Sequence, residues 1–222
     1  MATRINKSII GDCRGTVGPV VLTESYGVGV VRSKPKKRGK KKQTDNQKKH
    51  TSTFSKLNKF FQLATDVINL GYPKRKSAKM SAFNEAVSWH FNNALAVDQT
   101  NGIVDFVKLK LSRPIKKTQK AWQPSVSGEE NNRMTVAWKP NPSPDKHTHP
   151  DDGAVIVVHF YYRGRSKVMC YKDIAKRSDL NFSTELPYIM KGQEGHCYLF
   201  MISADKKLVS ETQYLGKFTP KQ

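Results

Sequence analysis

Acidic residues and cysteines are scarce in this sequence. Its 222 residues hold 18 Asp and Glu against 39 Lys and Arg, a formal charge of +21 with histidine neutral. That imbalance turns attention away from cationic partners and towards anionic ones. The three cysteines, Cys13, Cys170 and Cys197, are too few and too scattered for a disulfide framework or a CxxC metal knuckle. Long apolar runs are also missing. Every run is strand-sized and far from the ~18 residues of a membrane helix. Met1 to Lys7 lacks an apolar leader, so a cytoplasmic or virion-associated protein is expected. What is present suffices for a packed core, with 37% hydrophobic residues over a length typical of one or two domains.

The positive charge is local. Residues 1–124 carry 25 Lys and Arg against 7 Asp and Glu, a net +18, whereas residues 125–222 carry 14 against 11, a net +3. The densest stretch, 32–49, holds Arg32, Lys34, Lys36, Lys37, Arg38, Lys40, Lys41, Lys42, Lys48 and Lys49 against Asp45. Lys74, Arg75 and Lys76 form a second cluster, and Arg113, Lys116, Lys117 and Lys120 a third. Three clusters confined to one half describe a surface built to meet an anion.

Hydrophobic periodicity predicts an α+β protein. In residues 1–33, Thr16 to Leu22 and Gly27 to Val31 read as the strands of a glycine-rich hairpin. Residues 34–50 contain no apolar side chain and read as a lysine-rich arm. Residues 51–118 read as an antiparallel helix pair and a strand. The first helix is capped at Thr51 to Thr53, carries Phe54, Leu57, Phe60, Phe61, Ala64, Val67 and Ile68 on one stripe, and ends at Gly71 and Pro73. The second is capped by Ser81 and carries Phe83, Val87, Phe91 and Leu95, while Ile103 to Leu111 alternates as a half-buried strand. Residues 119–132 read as a linker. Residues 133–222 read as a β-sandwich with strands at 134–138, 154–162, 167–171, 197–202 and 213–218.

Several short motifs recur in this order: Arg4-Ile5-Asn6-Lys7, Gly15-Thr16-Val17-Gly18, Arg32-Ser33-Lys34-Pro35, Thr44 to Gln47, Lys79 to Asn84, Leu111-Ser112-Arg113, Trp138, Ser203-Ala204-Asp205 and Val209-Ser210 to Tyr214. Together they resemble an uncharacterised bacterial family typical of Bacteroidetes genomes and phage-like sequences. The resemblance implies an architecture and brings no activity, cofactor or catalytic residue. The lysine run between Pro35 and Thr44 departs from the milder polar loop usual in that family. The last hundred residues also resemble a fibronectin type III sandwich, on Trp138 in an early strand, Tyr198, Phe200 and Ile202 alternating in a late one, and Ser203-Ala204-Asp205 with Ser210 behind it.

Candidate chemistry follows from these features. The arm, with Lys74, Arg75, Lys76, Lys116, Lys117 and Lys120, has the composition for phosphate contacts by counterion release. No aromatic residue interleaves the arm, so it is expected to read charge and not base identity. Trp122 stands near the third cluster, where it either stacks on a base or a partner chain or packs as part of the linker. His147-Thr148-His149 with Asp151 and Asp152 has metal-ligand residue types. Lacking a cysteine or a third spaced histidine, it reads as a polar loop, and no metal site is assigned. Cys170, Cys197, His159 and His196 lie in or beside apolar strands and read as inert core residues, not as a nucleophile pair. Gly27-Val28-Gly29 lacks the third glycine and the βαβ context of a dinucleotide fingerprint. The expectation is a non-enzymatic nucleic-acid-binding or packaging-type protein with no cofactor and no membrane association, its sandwich serving as a docking module. The alternative is a structural or assembly subunit of a virion or filament, self-associating through the arm and the hairpin.

Overall fold

The computed structural model describes residues 2–3, 14–25, 28–36, 43–73, 80–93 and 105–221. The chain divides by packing into two units, 1–44 and 45–222.

The first unit is a four-stranded antiparallel sheet of β1 (Ala2–Thr3), β2 (Gly15–Val17), β3 (Val20–Ser25) and β4 (Val28–Ser33), in the order β1-β4-β3-β2. The strand expected over Thr16 to Leu22 is broken in two. Gly18 takes φ +57 and Pro19 has no N–H to donate, so the pair makes a two-residue turn between Val17 and Val20. β3 and β4 pair antiparallel from Val20 opposite Ser33 to Ser25 opposite Val28, and residues 26–27 between them lie outside the described residues. None of this unit's described residues is buried.

The second unit opens with α1 (Asp45–Leu63), α2 (Thr65–Gly71) and α3 (Ala82–Asn93). The first helix starts six residues before the expected cap. Asp45 complements the helix dipole and pairs with Lys48 at 3.0 Å, and these first turns are fully exposed and need no apolar residue. One helix was expected to reach Gly71, but it breaks at Ala64. There the Thr65 hydroxyl donates to the Phe61 and Gln62 carbonyls, a bond that bends helices. Ser81 caps α3 as expected, accepting the Asn84 N–H at 3.2 Å, while Leu95 lies outside the described residues.

Seven strands follow: β5 (Trp122–Glu129), β6 (Arg133–Lys139), β7 (Gly153–Tyr162), β8 (Arg165–Tyr171), β9 (Asn181–Glu185), β10 (Gly195–Ile202) and β11 (Gln213–Phe218). They form two antiparallel sheets, β5-β6-β9 and β11-β10-β7-β8. Met134, Val136 and Trp138 of the smaller sheet share a core with Ile156, Val158, Phe160, Leu199 and Met201 of the larger. The alternate residues Val155, Val157, Tyr198, Phe200 and Ile202 face outwards into a second core with Leu57, Phe61, Ile68 and Val87 of the helices. Hence β7 and β10 read as continuous apolar runs, because both of their faces are covered. The helices and the sandwich, expected as separate parts, are layers of one unit.

Two further expectations fail. Residues 119–132 are not a linker, since β5 pairs there with β6, with a bulge at Gln123 where φ is +44. The strand expected over Ile103 to Leu111 is instead a 3-10 turn, Phe106–Lys108, capped by Asp105 and followed by a strap of irregular chain. Residues 101–104 lie outside the description. The alternation is real, as Leu109 and Leu111 are buried, but the partners are not a strand. The strap is held by the Tyr72 hydroxyl donating to the Lys110 carbonyl at 2.8 Å, the Arg113 N–H donating to Gly71 at 2.9 Å, and Ser112 bonded to Ser210 and Thr212.

Candidate nucleic-acid interface

Of the predicted cations, Arg32 leaves the exposed end of β4, and Lys34 and Lys36 follow it, equally exposed. Among the described residues none of these three has an ion-pair partner. Lys37, Arg38, Lys40, Lys41, Lys42, Lys74, Arg75 and Lys76 lie outside the described residues. Lys48 and Lys49 stand on the exposed first turns of α1, Lys48 paired with Asp45 and Lys49 without an ion pair among the described residues. At 100° per residue, Lys48, Lys49, Lys56 and Lys59 fall within a sector of about 100° on the side of α1 away from Leu57 and Phe61. All four are exposed. Lys56 and Lys59 join this face although in sequence they are interleaved with the apolar positions of the stripe and do not stand out as a cluster. Their place between its apolar positions was the signal.

The third cluster is used largely inside the fold. Lys120 at 3.1 Å, Lys110 at 4.0 Å and Lys117 converge on Glu211, tying the strap to the β10–β11 loop. Hydrogen bonds from Lys117 and then Lys120 hold the Glu211 carboxyl down to about 2. Arg113 lies over the Trp89 ring at 5.6 Å. Lys116 is exposed and unpaired among the described residues. Trp122 begins β5 opposite Lys139, 44% exposed.

The other candidates resolve physically. His147 and His149 are exposed, but Asp151 pairs with Lys176 at 2.8 Å and the buried Asp152 with Arg177 at 3.0 Å. Among the described residues no cluster of three or more His, Cys, Asp or Glu is placed to hold a metal. The Arg177–Asp152 pair is a joint that the sequence did not reveal: Arg177 also donates to the Gln119 and Lys120 carbonyls and to Asn141, fixing the entry to the sandwich. Cys197 points into the sandwich core while His159 and His196 face the helical side, so the sheet separates the Cys197 thiol from the imidazoles; Cys170 packs on the helical side. Burial pushes the Cys170 and Cys197 thiols up, to about 11 and about 12. Phe106 stacks on both histidines, at 4.7 Å from His159 and 4.3 Å from His196.

Three strands facing four, with a helical layer on the outer face of the larger sheet, form an antiparallel β-sandwich with an added α layer. The chain belongs to a family of unknown function, DUF6266, whose model matches residues 12–216. A search of curated proteins finds no match. Among solved structures, the chain is similar to the fn3 domain of human collagen alpha-1(XX) chain at 12% identity and a TM-score of 0.33, covering 50% of this chain and 90% of that one. Among the described residues no helix is long and apolar enough to cross a membrane.

Proposed function

We propose that this chain is a non-enzymatic nucleic-acid-binding or packaging-type protein. Its lysine-rich segment makes sequence-independent phosphate contacts, and its sandwich serves as a docking module. The observation that carries this is the density of cations in the sequence from Arg32 to Lys49, of which Arg32, Lys34, Lys36 and Lys49 are exposed and have no ion-pair partner among the described residues. The basic face of α1 supports it further. Lys48 to Lys59 spans about 16 Å of helix axis, a length over which duplex nucleic acid presents about ten phosphate charges.

The test is a salt titration of binding to mixed-sequence DNA and RNA. Each lysine that neutralises a phosphate contributes about 0.9 to the log–log slope. Replacing Lys34, Lys36, Lys37, Lys40, Lys41 and Lys42 with glutamine should flatten the slope by about 5. An unchanged slope, or one near zero in the parent chain, sinks the proposal.

A second reading, an assembly subunit, is favoured by the first sheet. Val17, Val20, Leu22 and Val31 share one of its faces, with Val17 65% and Val31 37% exposed. Sedimentation of nuclease-treated protein at low and high salt decides this. Self-association that survives nuclease supports a second copy on that face, and a monomer at both salts removes it.

A further inference from the structure

The two ends of the sandwich carry their charge differently. At the end formed by the β6–β7, β8–β9 and β10–β11 connections, cations sit on carboxylates: Lys176 on Asp151, Arg177 on Asp152, Lys206 on Asp173 and Lys207 on Asp205. At the opposite end Arg163, Arg165, Lys167 and Lys191 have no ion-pair partner among the described residues. Of the carboxylates nearby, Glu194 pairs with Lys217 at 2.8 Å, while Glu185, opposite Arg133 across the smaller sheet, lines a neighbouring cleft with Tyr188 and Lys191 and has no ion pair among the described residues.

Aromatic surface stands among these free cations. Tyr188, in the 3-10 turn Tyr188–Met190, is 82% exposed. The turn is held rigidly: the Met190 N–H donates to the Pro187 carbonyl at 2.8 Å, and Met190 is buried in the sandwich core. Lys191 lies 5.8 Å over the Tyr188 ring, and Arg163 lies 5.3 Å over the Tyr162 ring. Tyr162, Tyr188, Ile189, Lys191 and Gln193 line a shallow cleft of about 340 Å³ that contains no carboxylate. Core tyrosines are buried for their area. An 82% exposed ring on a fixed turn contributes little to folding and offers a flat π surface to solvent.

The β7–β8 turn carries an independent mark. Arg163 and Gly164 have φ of +48 and +72, the two-residue turn that favours Asn-Gly or Gly-Gly. Arginine in the left-handed region is strained there. The strain places a guanidinium on the face of Tyr162, beside the cleft.

We propose that this end of the sandwich binds the unpaired bases of a single-stranded nucleic acid, with Tyr188 and Tyr162 stacking on a base and Arg163, Arg165, Lys167 and Lys191 holding the adjoining phosphates. Aromatic faces with interleaved cations are how proteins take single strands, because every base has a π face, whereas a duplex keeps its bases stacked on one another. The inference rests on the nucleic-acid reading above and adds a substrate preference that the arm cannot supply, since the arm lacks aromatic residues.

The experiment is fluorescence anisotropy with a labelled mixed-sequence single strand and a duplex of equal length. It uses the full chain, Tyr188→Ala, Arg163→Gly and the glutamine-substituted arm variant. Tyr188→Ala should weaken single-strand binding roughly 5- to 100-fold and leave duplex binding unchanged. Arg163→Gly should weaken the single strand while raising the melting temperature by about 2 °C, because glycine relieves the left-handed strain. A parent that binds while Tyr188→Ala loses nothing, or loses both substrates equally, overturns the stacking site and leaves the arm standing. A parent that binds neither nucleic acid overturns both. Loss in the arm variant with the Tyr188 effect retained separates the two surfaces.

Discussion

At the residue scale the most informative side chain is His90, which is fully buried between α3 and the strap. Its Nε2 accepts the Lys110 N–H at 2.8 Å, so the proton sits on Nδ1, which donates to the Ala86 carbonyl at 2.7 Å. Protonation would set an N–H against an N–H. Burial, helped by Arg113 and Lys110, lowers the His90 pKa from 6.5 to about 4, and burial with His196 nearby lowers His159 likewise to about 4. A histidine with a depressed folded-state pKa gives stability that is complete above about 6.5 and lost as pH falls towards 4. Each of these two is worth up to about 3 kcal/mol over that window. Urea midpoints should therefore drop steeply between pH 6.5 and 4, mostly above the window from 4.5 down to about 2 in which the stabilisation by Glu211 is lost. His90→Leu leaves the Lys110 N–H unpaired and should cost about 2 kcal/mol at pH 7. It should draw level with the parent near pH 5 and exceed it by about 1 kcal/mol at pH 4, because it has no proton to gain. Equal pH slopes in the two proteins would contradict the assignment.

At the element scale, legibility followed burial. The strands around Val136, Ile156, Met169, Leu199 and Leu215 were readable because their apolar residues enter a core. The two sandwich strands that were missed, β5 and β9, are the edges of the smaller sheet. Their inward positions are only half-buried, and Pro124, Gly128 and Thr184 stand there beside Val126 and Phe182, so little apolar alternation survives. The strap failed for the opposite reason: it alternates like a strand, but its hydrogen-bond partners are side chains and loop carbonyls 20 to 100 residues away. Of the candidate site, the cation clusters were visible as composition, while their commitment to Glu211 and the bare tyrosine on the 187–191 turn were not. Only distant contacts decide which charges are spent. The strap also explains Gly71. A Cβ there would stand 2.1 Å from the Leu111 carbonyl oxygen and 2.8 Å from the Ser112 Cα. Gly71→Ala, helpful in an open helix, should here cost about 3 kcal/mol in a denaturant titration, because the strap must move.

At the scale of the whole molecule, the outer face of the larger sheet cannot face water. Val155, Val157, Tyr198, Phe200 and Ile202 are buried there only because the helices cover them. Residues 45–222 should therefore unfold in one cooperative urea transition, whereas the fragment 133–222 should bind a hydrophobic dye and aggregate. A well-folded 133–222 would show that the helical layer is dispensable. The same layering has a consequence for synthesis. The helices end at Asn93, but the strand that completes their seat, β10, ends at Ile202. A ribosome needs roughly 5–20 s to make the intervening chain. Until β7 and then β10 have been made, Leu57, Phe61, Ile68 and Val87 have no complete sheet to rest on, so the helical layer gains its native seat only after the late strands are present.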